Sequence, residues 1–277
     1  MNNKNEIINK SELFSILTEG AVAVLNAPAP NDKVRLTFEL AAQWRREALE
    51  VGSARPPQRP ARPAKPELKR AGEMPKRSTG PKGRMALVHA LAHIELNAID
   101  LAWDIIARFA GHDLPRAFFD DWVDVAAEEA EHYRDLAQRL TELGLSYGDL
   151  PAHDGLWEAA DITADDLLAR LALIPMTLEA RGLDTTPQTC VKLRGNGDEE
   201  TARILDVIFT DEIKHLKIGV RWFEFECARR KLSPHAHYKT LLEARFTGTL
   251  KPPFNMPARL QADMTEAYLQ PWLASAA

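Results

Sequence analysis

The chain has 277 residues, 45% of them hydrophobic, and a net charge of −5 at neutral pH. That is apolar material enough for one sizeable core plus appendages, and the mild acidity gives no global electrostatic reason to expect nucleic acid or an anionic membrane as partner. The two cysteines, Cys190 and Cys227, form no C-x-x-C pair. With no signal-like N-terminus they read as reduced thiols in a cytoplasmic protein, and no uncharged apolar run approaches the ~18 residues needed to span a bilayer.

In chain order, residues 8–50 read as helix, with Val34, Leu36, Leu40, Ala41 and Trp44 at helical spacing. Gly52 to Arg84 differs. It carries seven prolines, and ten basic residues against Glu67 and Glu73, a net of +8. Proline fixes φ and removes a donor, so an extended strap is expected. It reads either as a solvated tether laid over the rest or, less readily, as a basic patch for RNA. Four long helices follow: about 82–109 with Gly111 as a cap; Pro115 to Gly144; from Thr163, a candidate N-cap with Asp165 and Asp166 in the first turn, to Gly182; and 198–230. Residues 145–162 are loop-like and suit a long crossover, and Pro187, Gly195 and Gly197 mark a second loop. The expected division is an N-terminal helical arm (1–50), the strap (51–84), an all-α four-helix bundle (85–230) and a tail (231–277) packed on it.

Two E-x-x-H motifs dominate the bundle: Glu129-Ala-Glu-His132 and Glu212-Ile-Lys-His215. Each has a lone helical Glu upstream at nearly the same distance, Glu95 by 34 positions and Glu179 by 33. A Glu and a His three apart project from one helical face and can share a metal. Four carboxylates and two imidazoles are the ligand set of a dinuclear site inside a helix bundle. Neighbours at helical spacing separate these carboxylates from surface charge. Glu95 lies among Leu91, Ala92, Ala98 and Ile99, Glu179 beside Pro175, Met176 and Leu183, and Glu212 beside Ile208, Phe209 and Leu216. Buried carboxylates are costly without cations. Glu128 and Glu131, by contrast, neighbour other charges and read as solvated. Asp211 is placed to accept the outer N–H of an imidazole across the bundle, most plausibly His132, or else is a surface residue. Arg181 reads as a partner for a ligand or for Asp184, or as solvent-facing; Tyr133 as a core tyrosine or a radical site. His89 and His93 invite a zinc reading, but they continue into Asn97, Asp100 and Asp104, a polar stripe of surface or supporting residues.

The segments RMALVHALAHIELNAIDLAWDIIARF (84–109), EEAEHYRDLAQRL, EARGLDTTP and DEIKHLKIGVRWF, with the strap RPARPAKPELKRAGEMPKR and the tail PPFNMPAR, resemble a ferritin-like family of bacterial proteins known by a domain-of-unknown-function label. The ligand motifs also resemble those of acyl carrier protein desaturases, and Glu179-Ala180-Arg181 resembles the third-helix motif of the tRNA hydroxylase acting on 2-methylthio-isopentenyl-adenosine. These resemblances imply an O₂-activating di-iron centre held by Glu95, Glu129, His132, Glu179, Glu212 and His215. Iron is the expected metal and manganese the alternative. A small-molecule or modified-nucleoside substrate and an electron-donor protein are expected as partners. The alternatives are a ferroxidase without organic substrate and a non-enzymatic RNA- or partner-binding bundle.

Overall fold

The structure, a computed structural model, describes residues 14–46, 49–78 and 80–273. The fold is all-α. The arm is two helices, α1 (Leu17–Asn26) and α2 (Pro30–Arg46), where one was expected. Pro28 and Pro30 force the break, because the residue before a proline is pushed out of helical geometry; Pro30 then opens α2 at a favourable first-turn position. Positions 8–13 of the expected arm lie outside the described residues.

The bundle is two helical hairpins. In the first, α3 (Pro81–Phe109) and α4 (Arg116–Glu142) are joined by a short turn. Gly144, at φ +81°, lets the chain reverse after α4, and the Leu145 amide donates back to the Leu140 carbonyl at 2.9 Å. The second pairs a composite helix with α8 (Glu199–Arg229). The composite runs from α6 (Leu167–Leu173) through a π-helical segment, Ile174–Glu179, into α7 (Ala180–Gly195). α4 packs across α8, α1 and α2 lie on α3 and α4, and α9 (Pro234–Arg245), α10 (Met256–Gln261) and α11 (Glu266–Leu273) cover the second hairpin. The crossover carries a short helix of its own, α5 (Gly155–Asp161).

The third helix departs from expectation at both ends. Its N-cap is Asp166, whose side chain accepts from the Leu168 amide, while the Thr163 hydroxyl bonds the Ala159 carbonyl instead. It runs past Gly182 and through Pro187 to Gly195. Pro187 leaves the Leu183 carbonyl without its helical donor. Asn255 of the tail supplies one at 3.0 Å, a long-range contact that local sequence signals do not contain. The π segment has a similar origin: Pro175 cannot donate to the carbonyl one turn back, and the register widens there. The Thr177 hydroxyl takes the Ala172 carbonyl at 2.7 Å.

One hydrophobic cluster extends from Leu17 through Leu96, Trp103, Leu136, Leu171 and Phe223 to Leu269. α3 is long and apolar enough to cross a membrane, but 72% of its apolar window is buried in the protein, as befits a central bundle helix.

The strap is extended apart from one 3₁₀ turn, Ala71–Glu73, and is bound to the bundle by backbone and side chains. The Lys69 amide donates to the Ala152 carbonyl and the Ala152 amide to the Glu67 carbonyl. Arg59 pairs with Asp154 and Asp161. Arg62 reaches Asn97 at 2.6 Å and Asp100 at 2.7 Å. The stripe His89, His93, Asn97, Asp100, Asp104 is therefore buried beneath the strap and the crossover, not exposed. Asp100 also holds the buried Lys33 ammonium at 2.6 Å, and that ammonium donates to the last carbonyls of α1 at Val24 and Leu25. Asp104 pairs with buried Arg170 at 2.5 Å and with Arg108.

Candidate metal centre

Helical periodicity places the motif residues. Glu129 and His132 sit one turn apart on α4, Glu212 and His215 one turn apart on α8, Glu95 at mid-length on α3, and Glu179 where the π segment meets α7. Glu95, Glu129, His132 and Glu212 each offer a ligand atom within 4.8 Å of the others, a buried group able to hold a metal ion. His215 Nδ1 lies 3.0 Å from Glu129 Oε1 and 3.8 Å from Glu212 Oε1. His132 Nδ1 lies 3.3 Å from Glu129 Oε2 and 3.7 Å from Glu95 Oε2. Glu129 thus stands between the two imidazoles, one oxygen toward each. Glu179 falls outside that four-residue group; burial and the charges of Glu212 and Glu129 push its carboxyl well above the ordinary range.

Each imidazole turns its other nitrogen to a carboxylate on the opposite helix. His132 Nε2 lies 3.1 Å from Asp211 Oδ2, and His215 Nε2 lies 2.8 Å from Glu128 Oε2. Glu128 is the residue that sequence reasoning missed. It is half-buried, held also by Lys214, and its carboxyl sits below the usual range: burial opposes this, but His215 and Lys214 outweigh it. A signal was present. Glu128 immediately precedes Glu129 just as Asp211 immediately precedes Glu212, and helices crossing face to face carry equivalent offsets to equivalent places. Glu131 is exposed.

Burial and the crowding of carboxylates dominate the electrostatics of the group. Burial and the Glu129 charge drive the Glu95 carboxyl well up, and the same causes raise Glu212. Glu129 itself is held far down despite burial, by the imidazoliums of His215 and His132. Burial opposes the charge on His132, but Asp211, Glu129 and Glu95 together push it up to about 12; His215 is raised likewise, chiefly by Glu129 and Glu128. The His215 Nδ1 is fully buried, faces carboxylates and makes no aligned hydrogen bond. A divalent cation fits such a nitrogen, and the surrounding hard oxygen and imidazole donors suit iron or manganese.

The other singled-out residues fall into place. Arg181 pairs with Asp184 at 2.8 Å and donates to the Lys251 carbonyl, not to a ligand. Tyr133 is a buried core residue packed edge-on to Tyr147, with ring centroids 5.6 Å apart. His89 and His93 are structural. His89 Nε2 accepts from the Gly148 amide at 3.0 Å, and His93 contacts the Tyr147 hydroxyl at 2.8 Å and the His153 carbonyl at 3.1 Å. The space beside them is only about 30 Å³, water-sized.

A far larger cavity, about 950 Å³, opens directly onto the centre, and Glu95, Glu179 and Glu212 form part of its wall. Leu91, Ile94, Leu178, Leu205 and Ile208 line it next to the carboxylates. Its size is at the upper end of the roughly 300–1,000 Å³ typical of small-molecule sites.

A protein of Haemophilus influenzae described as "Uncharacterized protein" is 41% identical over 217 residues, covering 76% of this chain and 75% of its own length. No solved structure matches the chain. Residues 26–270 match the family described as "Protein of unknown function (DUF455)", and the chain belongs to that family.

Proposed function

We propose that this chain is a ferritin-like oxidoreductase with a dinuclear metal centre, most naturally di-iron, that uses O₂ to hydroxylate or otherwise oxidise an organic substrate. The observation that carries the reading is the paired geometry of the histidines: each Nδ1 faces the central carboxylates while each Nε2 is gripped from the opposite helix. In this reading Glu95, Glu129 and His132 would hold one ion, and Glu179, Glu212 and His215 the other. Asp211 and Glu128 keep a proton on each Nε2, which leaves Nδ1 as the donor nitrogen and raises its basicity. A metal pair bound there supplies the capacity to reduce O₂ and oxidise a neighbouring C–H or heteroatom. The apolar walls at Leu91, Ile94 and Ile208 exclude water and hold the substrate against Glu95 and Glu212. Turnover draws electrons from outside the chain, which calls for a redox partner or a chemical reductant.

Iron handling without an organic substrate uses the same ligands. The cavity at the carboxylates favours the oxidoreductase, since iron ions need no apolar chamber of that size. RNA binding through the strap is disfavoured because Arg59, Arg62 and Arg84 are already committed to carboxylates of the bundle. The test is oxygen uptake by the iron-loaded chain with a chemical reductant, with and without apolar organic acids and modified nucleosides. Uptake that rises with one class, with oxygen incorporated into the product by mass spectrometry, is expected. Uptake set by iron alone, unaffected by any organic compound, contradicts the proposal.

A further inference from the structure

The large cavity carries charge of both signs on its wall. Among the described residues its acidic members are Glu95, Glu179 and Glu212, the carboxylates of the candidate centre. Its basic members are Arg77 from the strap and, from α7, Arg181, only two positions beyond Glu179, and Lys192. Lys192 follows Glu179 by 13 positions, about 20 Å along a helix axis at 1.5 Å per residue. Between these ends the wall is mostly aliphatic, joined by Thr185, Thr186 and Thr189.

Two of these cations are not neutralised by neighbours. Arg77 and Lys192 are exposed and have no ion-pair partner among the described residues. Arg181, beside Glu179, is paired with Asp184 at 2.8 Å. Arg77 comes from the strap and Lys192 from α7, so it is the fold that brings both cations to one cavity wall.

We infer that the cavity takes an amphipathic anion, with an apolar chain or ring system directed at Glu95 and Glu212 and a carboxylate or phosphate head held by Arg77 and Lys192. The inference rests on the oxidoreductase reading and names its substrate class. A head group held at Lys192, about 20 Å along the helix axis from Glu179, leaves the apolar portion as the part presented for oxidation. A cationic amphiphile is rejected there, and a neutral one loses its anchor.

The test is calorimetric titration of the full-length chain, with metal content measured on the same batch, using decanoate, decyl phosphate, 1-decanol and decylammonium. The two anions are expected to bind at least tenfold more tightly than decanol, and decylammonium more weakly still. The tighter anion identifies the head group. The double variant Arg77→Ala/Lys192→Ala alters only exposed positions and is expected to weaken both anions roughly tenfold, the scale of two partly screened charges, while leaving decanol unchanged. Thr189→Trp, which adds bulk to the cavity wall, is expected to weaken binding of all of them. Anion and alcohol binding equally, the double variant keeping its anion preference, or Thr189→Trp binding as the wild type would each overturn the inference. Anion-selective binding by a chain that takes up no metal refutes the oxidoreductase reading alone. Two ions per chain without anion selectivity refute only the substrate class.

Discussion

Replacing Glu128 by Ala isolates the supporting role the structure gives it. The change removes an acceptor 2.8 Å from His215 Nε2 and leaves every carboxylate that faces Nδ1 in place. Carboxylates that orient a metal-bound imidazole typically contribute 10–100-fold in affinity, which is about 1.4–2.7 kcal/mol. The Glu128 side chain is 24% exposed, so water replaces part of the lost hydrogen bond and the effect belongs at the lower end, about tenfold. Asp211→Ala should match it, because its side chain is similarly exposed, at 31%, and its bond to His132 is slightly longer at 3.1 Å. The assay is anaerobic chelator competition with Fe(II) or Mn(II), with Glu131→Ala as the control that changes nothing. Wild-type affinity in Glu128→Ala would show that His215 needs no outer carboxylate and refute the paired-support argument.

Asp100→Ala should destabilise the fold by about 3–5 kcal/mol in urea unfolding, because it leaves the Lys33 ammonium buried without its carboxylate and frees Arg62; Arg70→Ala, at an exposed position, should stay within about 0.5 kcal/mol. Burial lowers the His89 pKa, and its Nε2 must stay bare to accept from the Gly148 amide. The unfolded chain therefore takes up this proton first as pH falls below about 6.5; this contribution is intact above that value and lost progressively toward the folded pKa, and His89→Gln should flatten the melting-temperature slope between pH 7 and 5. Gly219→Ala would put a Cβ 2.8 Å from Pro175 Cβ. It should displace the π segment that carries Glu179 and reduce metal capacity toward one ion per chain, with helicity by circular dichroism retained.

The helices of the bundle were legible because apolar periodicity and caps are local: Asp198, Gly144 and the first-turn Pro81 are written in the sequence beside the ends they set. The course of the third helix was not. Its passage through Pro187 depends on Asn255, and its π segment on where Pro175 falls against Gly219 of α8. The ligand motifs stood out by repetition and by aliphatic neighbours. Glu128 was misjudged because its own helical neighbours are charged, whereas its function is set by the helix crossing it. The His89-to-Asp104 stripe was misjudged for the reciprocal reason, since a proline-rich strap that lays no periodic signal over it buries it all the same. Arg62, on a strap that reads as a solvated tether, is a partner of fully buried Asp100.

The central claim is most directly tested by counting metal ions per chain in protein purified without chelators and reloaded anaerobically with Fe(II), for the wild type and for Glu129→Ala. Glu129 faces both imidazoles, so the account predicts two ions in the wild type and loss of both in the variant, with the helical spectrum preserved. A folded wild type that retains one ion or none, or a Glu129→Ala variant that still holds two, would contradict it.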